Sequence, residues 1–241
     1  MNTKKSLIWI KICVVFFLVV LNSCEKPKPS EPPVKFSIDG YINIPNAVFI
    51  EAYRVLGDSV PIIVPIANCN VDNGNFKLIL PDTFVNNLTN VCVIFPVEMN
   101  YVVSCPDANL AFLSYMDLYK SYNAIPPNCI GQLLCGKSFE YRNTSTEYYF
   151  NGVEKYWYYV DRDVTVGGAY NEQRVIEGIP GTRIWAADLS LKKGWNEIYS
   201  EDIVDANRQA GGTYTWTNTI TTKKHEKYKD LKWYLWGEEM P

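Results

Sequence analysis

The chain has 241 residues, 47% of them hydrophobic, with 23 basic and 26 acidic side chains and a formal net charge of −3. Residues 1–23 hold three lysines and no acidic residue, so the remainder has 20 basic and 26 acidic side chains, a net charge of −6. An acidic chain is repelled by phosphate backbones, so we expect no nucleic-acid partner. The residues beyond position 34 suffice for one large domain or two small ones with a hydrophobic core.

The beginning of the chain has the features of an export signal. An uninterrupted apolar run over residues 12–21 follows Lys4, Lys5 and Lys11. A membrane-spanning helix needs roughly 20 apolar residues, about twice the length of this run. We therefore predict a cleaved signal peptide over residues 1–23 rather than a membrane span.

The segment Leu21-Asn22-Ser23-Cys24 resembles the lipobox of bacterial lipoproteins, whose cysteine is lipidated and becomes the new N-terminus. Acyl chains on Cys24 would hold the protein on a membrane, because roughly 0.8 kcal/mol accrues per buried CH2 group and two chains anchor stably. The alternative is ordinary signal cleavage that leaves Cys24 as a free thiol. Residues 24–35 carry four prolines among charged side chains, which favours an extended tether. Many Bacteroidetes lipoproteins have this arrangement, so the resemblance implies an outer-membrane lipoprotein exposed at the cell surface.

Residues 36–97 predict an N-terminal β-module. Its first segment alternates apolar and polar residues, which is typical of a half-buried strand, and its last is apolar at both parities, which predicts a strand buried on both faces. Pro61 and Pro65 restrict the third segment to a sheet edge, and Asp72-Asn73-Gly74-Asn75 predicts a tight hairpin turn. The stretch "DNGNFKLILP" resembles transthyretin-like repeats of surface proteins. The predicted strands cover residues 36–44, 47–56, 60–66, 76–80 and 88–97.

Residues 98–241 predict a second, aromatic-rich β-part. The apolar spacing over residues 107–120 fits a helix and a strand about equally. Asn151-Gly152 predicts a hairpin turn, and Gly167-Gly168 predicts the end of the strand that follows it. Further strands are predicted over residues 184–191, 195–199, 213–221 and 231–236, with a turn at Lys192-Lys193-Gly194 and the last strand as partner of the one before it. Recurring turns between short strands indicate an all-β fold, an antiparallel β-sandwich in one or two sub-modules.

Two motifs in the second part resemble those of a family. "YWYYVDRDVTVGG" (residues 156–168) followed by "DLSLKKGWNEIY" (residues 188–199) is similar to a pair of motifs in Bacteroidetes surface lipoproteins of unknown function. The resemblance covers roughly residues 100–200, together with the lipobox. It implies an all-β domain and a strand over residues 109–119, and it carries over no catalytic residue.

Five cysteines follow Cys24, an odd number that cannot pair completely within one chain. Cys129 and Cys135 frame five residues and would either form a disulfide in an oxidising compartment or stay free. Cys92 lies in an apolar run and is expected to be a buried thiol. We predict no zinc site, because the chain has no Cys-x2-Cys pair and its single histidine, His225, is distant in sequence.

Asp161 and Asp163 would share one face of a strand, which suits an acid pair or a calcium site. Arg162 lies between them and no further oxygen ligands follow in a loop pattern, whereas calcium takes six to eight. We therefore interpret the pair as a solvated strand end held by nearby basic residues. His225 lies among lysines and predicts an exposed loop rather than a catalytic base.

The aromatic run Tyr156-Trp157-Tyr158-Tyr159 is the candidate ligand-binding feature. Its rings alternate between the two faces of a strand, so two of them would be free to stack on a ligand if one face is uncovered. Cross-strand packing of the rings is the alternative. We expect a membrane-anchored, non-enzymatic protein without cofactor that binds a glycan or a host protein. A structural or fimbrial-type envelope subunit is the second hypothesis, and a hydrolase is the third.

Overall fold

The computed structural model describes residues 35–56, 62–83, 88–113, 115–122, 128–176 and 178–236. The predicted signal peptide, Cys24 and the proline-rich tether lie outside the described residues. The segment Lys35–Pro241 forms one compact unit. None of the helices in the described ranges has both the length and the apolar character needed to cross a membrane.

The described part of the chain is built almost entirely from strands. Its helical segments are short: α1 covers Val91–Ile94, and 3-10 turns cover Val97–Met99 and Glu226–Tyr228. The strands are β1 Ser37–Tyr41, β2 Phe49–Leu56, β3 Ile62–Asp72, β4 Asn75–Ile79, β5 Thr89–Asn90, β6 Tyr101–Val103, β7 Asn109–Phe112, β8 Tyr115–Tyr119, β9 Cys129–Asn143, β10 Glu147–Val160, β11 Val164–Ile176, β12 Ile179–Leu191, β13 Gly194–Asn207, β14 Tyr214–Thr221 and β15 Lys232–Leu235.

The strands form one hydrogen-bonded path in the order β1-β4-β3-β2-β8-β9-β10-β13-β14-β12-β11-β6. β15 joins at β9, and β7 joins at β10 and carries β5. Among the described strands, only the pair β12 and β14 is parallel. This arrangement confirms the predicted all-β, sandwich-like fold, with a mixed rather than purely antiparallel sheet.

The six strands from β9 to β14 are called the long-strand sheet below. One of its faces packs on the N-terminal strands, where Trp157, Tyr159 and Trp195 share a core with Ile38 and Leu78. β9 connects the two layers, because its beginning pairs with β8 and its end pairs with β10. The sheet path therefore continues past residue 97, where the sequence suggests a boundary between two parts.

The other face of the long-strand sheet, called the cavity face below, also has a core. Val160, Val166 and Ile198 of this face pack with Val91 of α1 and with Leu110. Both cores lie along the part of β10 that covers residues 153–160, which is called the covered half. The part of the sheet around residues 147–152 of β10 is called the open half, because no hydrophobic core cluster of the described residues includes these positions.

Two local predictions in the N-terminal part are confirmed. β3 and β4 are joined by Asn73-Gly74, with φ values of 49° and 81°. Positive φ at both central residues is the type I′ geometry that matches strand twist. Pro65 lies in β3 opposite Tyr53, next to a register shift, and the described partners place only β2 beside this stretch. Pro65 therefore lies on a sheet edge, as a residue without an N–H requires.

The predicted strand over residues 88–97 is wrong. Only Thr89–Asn90 pairs, and Val91–Ile94 forms a helical turn in which Val93 is 68% exposed. The side-chain oxygen of Asn90 accepts a hydrogen bond from the backbone N–H of Cys92 at 2.8 Å and caps this turn. Pro96 follows and prevents the ladder from continuing. Local capping therefore wins over the apolar composition of the segment.

The two glycine predictions in the aromatic part are also wrong. β10 runs without interruption through Asn151 and Gly152, which form a bulge against β9 instead of a turn. β11 likewise continues through Gly167 and Gly168. A Cβ atom on Gly168 would lie 2.3 Å from the carbonyl oxygen of Asn100, so this glycine permits a close approach of two backbones.

Most of the remaining strand predictions are confirmed, and the predicted partner of the last strand is wrong. Asn109–Phe112 and Tyr115–Tyr119 form the strands β7 and β8, as the family resemblance implies for this stretch. The turn at residues 192–194 and the strand over residues 213–221 are confirmed. The last strand, β15, pairs with β9 and not with β14.

The described cysteines are all free thiols. Cys129 and Cys135 lie six residues apart on one strand, roughly 20 Å at the rise of an extended chain, so the predicted disulfide alternative is wrong. Burial raises the pKa of the Cys135 thiol to about 11. Cys92 is half-buried rather than buried.

Candidate functional site

The aromatic run singled out in the sequence lies in the covered half. Trp157 and Tyr159 are 3% and 4% exposed and belong to the core shared with the N-terminal strands. Tyr156 and Tyr158 point to the cavity face and pack at the edge of its core. Burial raises the pKa of Tyr158 to about 12. The four rings therefore form no exposed row, and each has a packing role.

Asp161 and Asp163 are held as the sequence interpretation expects. Asp161 accepts hydrogen bonds of 2.9 Å from the backbone and side-chain nitrogens of Asn109 and lies beside Arg162. Burial opposes the ionisation of Asp161, but these hydrogen bonds outweigh it and lower its pKa. Asp163 is exposed, and the ammonium of Lys192, 2.8 Å away, lowers its pKa. No cluster of potential metal ligands is found among the described residues.

The open half contains a cavity that the sequence reasoning missed. It has a volume of about 470 Å³ and lies on the cavity face of β10, β13 and β14. This volume falls within the range of roughly 300–1,000 Å³ that is usual for small-molecule sites. The lining residues combine four rings with both signs of charge: Tyr148, Phe150, Gly152, Glu154, Ile179, Asp202, Val204, Ala206, Arg208, Tyr214 and Trp216.

The strand register explains why these side chains meet. Phe150 of β10 lies opposite Val204 of β13, which lies opposite Trp216 of β14, which pairs with Arg183 of β12. Side chains at every second residue of a strand share one face, so the rows two residues away add the other lining positions. The cavity is thus a continuous patch of one sheet face, built from four strands.

Asp202 is oriented by two neighbours on β14. Its Oδ1 accepts hydrogen bonds from the indole nitrogen of Trp216 at 2.7 Å and from the side-chain nitrogen of Asn218 at 3.0 Å. Asn218 also donates to the hydroxyl of Ser200 at 2.8 Å. Two donors on one carboxylate oxygen fix the plane of the Asp202 side chain.

Glu154 is the second carboxylate of the cavity. The Tyr156 hydroxyl donates to Glu154, and the Tyr234 hydroxyl donates to it at 2.5 Å. Burial, together with these contacts to Glu154, raises the pKa of both tyrosines. The phenols therefore remain neutral donors at physiological pH, and Glu154 is held in place at the inner end of the cavity.

Two arginines lie toward the strand ends. The Arg183 guanidinium carbon is 3.8 Å from the ring centroid of Trp216 and 3.9 Å from that of Trp185. Arg208 lines the cavity and donates to the side-chain oxygen of Asn143 at 2.8 Å and to the carbonyl of Thr144 at 2.9 Å. Arg208 thus lines the cavity near the strand ends, and the carboxylates of Asp202 and Glu154 line it further in. Arg183 reaches the cavity through Trp216, on which it stacks, one row from Asp202.

Sequence reasoning had only a weak signal for this site. Tyr148 and Phe150 are spaced by two, as are Tyr214 and Trp216, so each pair shares a strand face. Nothing in either pair tells that β10 and β14 bring them to the same face, because β13 lies between these strands. The denser run of rings over residues 156–159 is therefore the stronger signal in the sequence, although these rings are packed in the fold.

Comparison with protein-family models, with curated proteins and with solved structures gives no match for this chain.

Proposed function

We propose that the protein binds a carbohydrate in the cavity of the open half. The observation that carries this proposal is the pairing of ring faces with a fixed carboxylate on one sheet face. Phe150 and Trp216 supply apolar surface, and Asp202 lies beside them with its plane set by two donors. Sugar rings present C–H groups on their faces and hydroxyl donors around their edge, so they match both features at once.

The lack of a covering layer on the open half leaves its rings available to a ligand. Tyr148, Phe150 and Val204 are half-buried in the part of the cavity face that no core cluster of the described residues reaches. Contiguous apolar surface that is exposed in this way marks ligand or partner sites more often than chance allows. Polar groups that converge on an apolar concave site give it specificity.

Glycoside hydrolysis is the second candidate, and one observation favours it. Glu154 pairs with Ser200 and Asp202 pairs with Gly152, so the two carboxylates are diagonal neighbours on one face. The Cα atoms of such neighbours lie roughly 7–8 Å apart, a backbone separation from which two side chains could reach the carboxyl spacing of about 6.5–9.5 Å of inverting glycosidases. In a hydrolase one of the two groups would have to protonate the leaving group, whereas both are already engaged by hydroxyl and N–H donors of the protein itself. We therefore rank binding above hydrolysis.

A glycan array on the purified protein, followed by calorimetry on the glycans that bind, tests the proposal. Trp216→Ala and Phe150→Ala should weaken binding at least tenfold, because each removes a ring face of the cavity. Trp236→Ala is the matched control, since this indole is 74% exposed outside the cavity. An array without any bound glycan, or equal affinity in the cavity variants, overturns the proposal. Release of reducing sugar from a bound glycan would favour the hydrolase instead.

We also propose that this binding site is held at a membrane by lipid on Cys24 and presented at the cell surface. The support is the lipobox-like segment 21–24 and the proline-rich residues that follow it. Mass spectrometry of the N-terminal peptide from membranes should find acyl chains on Cys24, and Cys24→Ser should release the protein to the soluble fraction. An unmodified Cys24 in the membrane-bound protein contradicts the proposed anchor.

A further inference from the structure

We infer that the sugar bound in the cavity carries a carboxylate, and that Arg183 and Tyr214 bind this group. The inference rests on the proposed function, because it names the class of sugar for the same site. It is carried by two buried donors that have no hydrogen-bond partner among the described residues, the Arg183 Nε and the Tyr214 hydroxyl. Tyr214 lines the cavity, and the Arg183 guanidinium stacks on Trp216, which also lines it.

Arg183 is a fixed cation. Its guanidinium lies between the rings of Trp185 and Trp216, whose centroids are 6.2 Å apart. Ring faces hold a guanidinium by cation–π attraction and leave the N–H groups at its edge free to meet an acceptor in the same plane. The geometry therefore suits a planar, doubly accepting anion such as a carboxylate.

The acidic side chains near Arg183 are engaged elsewhere. Glu172 makes two hydrogen bonds to Arg174, at 2.8 and 3.3 Å. Asp202 accepts from Trp216 and Asn218. No ion pair to Arg183 is found in the described part of the chain, so no salt bridge competes with a ligand for its N–H groups.

Tyr214 places its hydroxyl on the same wall. The residue is 4% exposed, and it lines the cavity. It pairs with Gly181, and a Cβ atom on Gly181 would lie 2.3 Å from its ring, so the ring lies against β12. Arg183 follows Gly181 by two residues on the same strand face. A phenol and a guanidinium on adjacent positions of one face can donate to the two oxygens of one carboxylate.

The distribution of charges around the cavity determines the orientation of a bound sugar. Arg208 at the outer end donates to neutral oxygens of Asn143 and Thr144, so no counter-charge in these contacts neutralises it. Asp202 and Glu154 lie one and two rows further in than the row that holds Arg183. A sugar would therefore direct its carboxylate toward the arginines and its hydroxyl groups toward the carboxylates, because the reverse orientation would bring like charges together.

Isothermal titration of the full-chain protein with trigalacturonic acid and 3′-sialyllactose, each compared with its methyl ester, tests the inference. The ester removes the charge and keeps the sugar. At least one acid should bind tenfold or more tightly than its ester, and Arg183→Gln should abolish that preference. Arg142→Gln is the matched control, because Arg142 also stacks on a ring, that of Tyr149, 4.7 Å away on the opposite face.

Tyr214→Phe keeps the test decisive if Arg183→Gln fails to fold. It removes one hydroxyl that has no hydrogen-bond partner among the described residues and leaves the ring in place, so the unfolding midpoint should not fall. The preference for the acid over its ester should drop about fivefold. Esters that bind as tightly as the acids, or an undiminished preference in Tyr214→Phe, overturn the inference. The proposed function survives that result if neutral glycans still bind and Trp216→Ala weakens them. Absence of any bound sugar overturns both.

Discussion

The two halves of β10 have similar aromatic content and different surroundings. Residues 156–159 are four consecutive rings with a core on each face of the strand. Residues 148–150 are three consecutive rings that remain half-buried and belong to none of the core clusters formed by the described residues. The number of layers that pack on a strand, and not its composition, therefore decides whether its rings stabilise the fold or are available to a ligand.

The covered half also shows what the open half lacks. On the cavity face, α1 and the segment around Leu110 supply the covering layer, and on the other face the N-terminal strands do so. The strands β10, β12 and β13 are 13 or 14 residues long and continue beyond these layers. The length of the strands thus creates the uncovered face, and register fills it with Phe150, Val204 and Trp216.

The largest expected difference between the halves is in stability. Trp157→Ala should lower the free energy of unfolding by about 3–5 kcal/mol, because it opens a cavity in a core where Trp157 stacks on Trp233 at 5.8 Å. Phe150→Ala should cost only about 1 kcal/mol, since its ring is half-buried. Urea unfolding of the two variants measures both values. Equal losses of unfolding free energy would mean that Phe150 is packed as tightly in solution as Trp157, which would contradict the difference between the two halves.

A second, smaller effect tests the edge of the sheet, where β6 pairs with β11. Gly168 has a φ of +136° and a backbone oxygen of Asn100 in the way of any Cβ, so Gly168→Ala should cost about 2 kcal/mol. Gly167→Ala is the matched control, because nothing lies within 4 Å of its Cβ position, and it should be neutral or slightly stabilising. Thermal unfolding of both variants gives the comparison. A Gly168→Ala protein as stable as the control would contradict the close approach of β6 to β11.

The dipeptide Asn-Gly predicts a turn at two places in this chain and forms one at only the first of them. Asn73-Gly74 is flanked by polar residues and forms the predicted turn. Asn151-Gly152 is flanked by Phe150 and Val153, and β10 pairs with β13 over all its 14 residues, bulging at the dipeptide instead of turning. Pairing with β13, about 50 residues away in sequence, overrides the local preference of Asn-Gly for a turn. Strand existence was therefore predictable over much of the chain, while strand length and partners were not.

The site was beyond prediction for the same reason. Its walls come from β10, β12, β13 and β14, and the parallel pairing of β12 with β14 has no signature in a single sequence. Arg183 gains its second indole neighbour, Trp216, only through that pairing, whereas Trp185 lies two residues along β12 itself. What the sequence did contain was the alternation of rings along each strand. Local periodicity predicts which residues share a face, and only the register decides which faces meet.

The smallest expected effect is seen only in alkali, and it again separates the halves. The pKa of Tyr158 in the covered half rises by burial to about 12, above the ordinary value of roughly 10 that applies when the chain unfolds. Its contribution to stability is complete below pH 10 and is lost as the pH rises from 10 through 12, because the unfolded chain releases its proton first. Tyr158→Phe has no proton to release, so at pH 11 it should lose about 1 kcal/mol less than the wild type. Tyr141→Phe, whose ring is 54% exposed in the open half, is the matched control. Urea unfolding at pH 8 and pH 11 measures the difference, and identical losses in the wild type and both variants would show that the covered half admits water to its phenols.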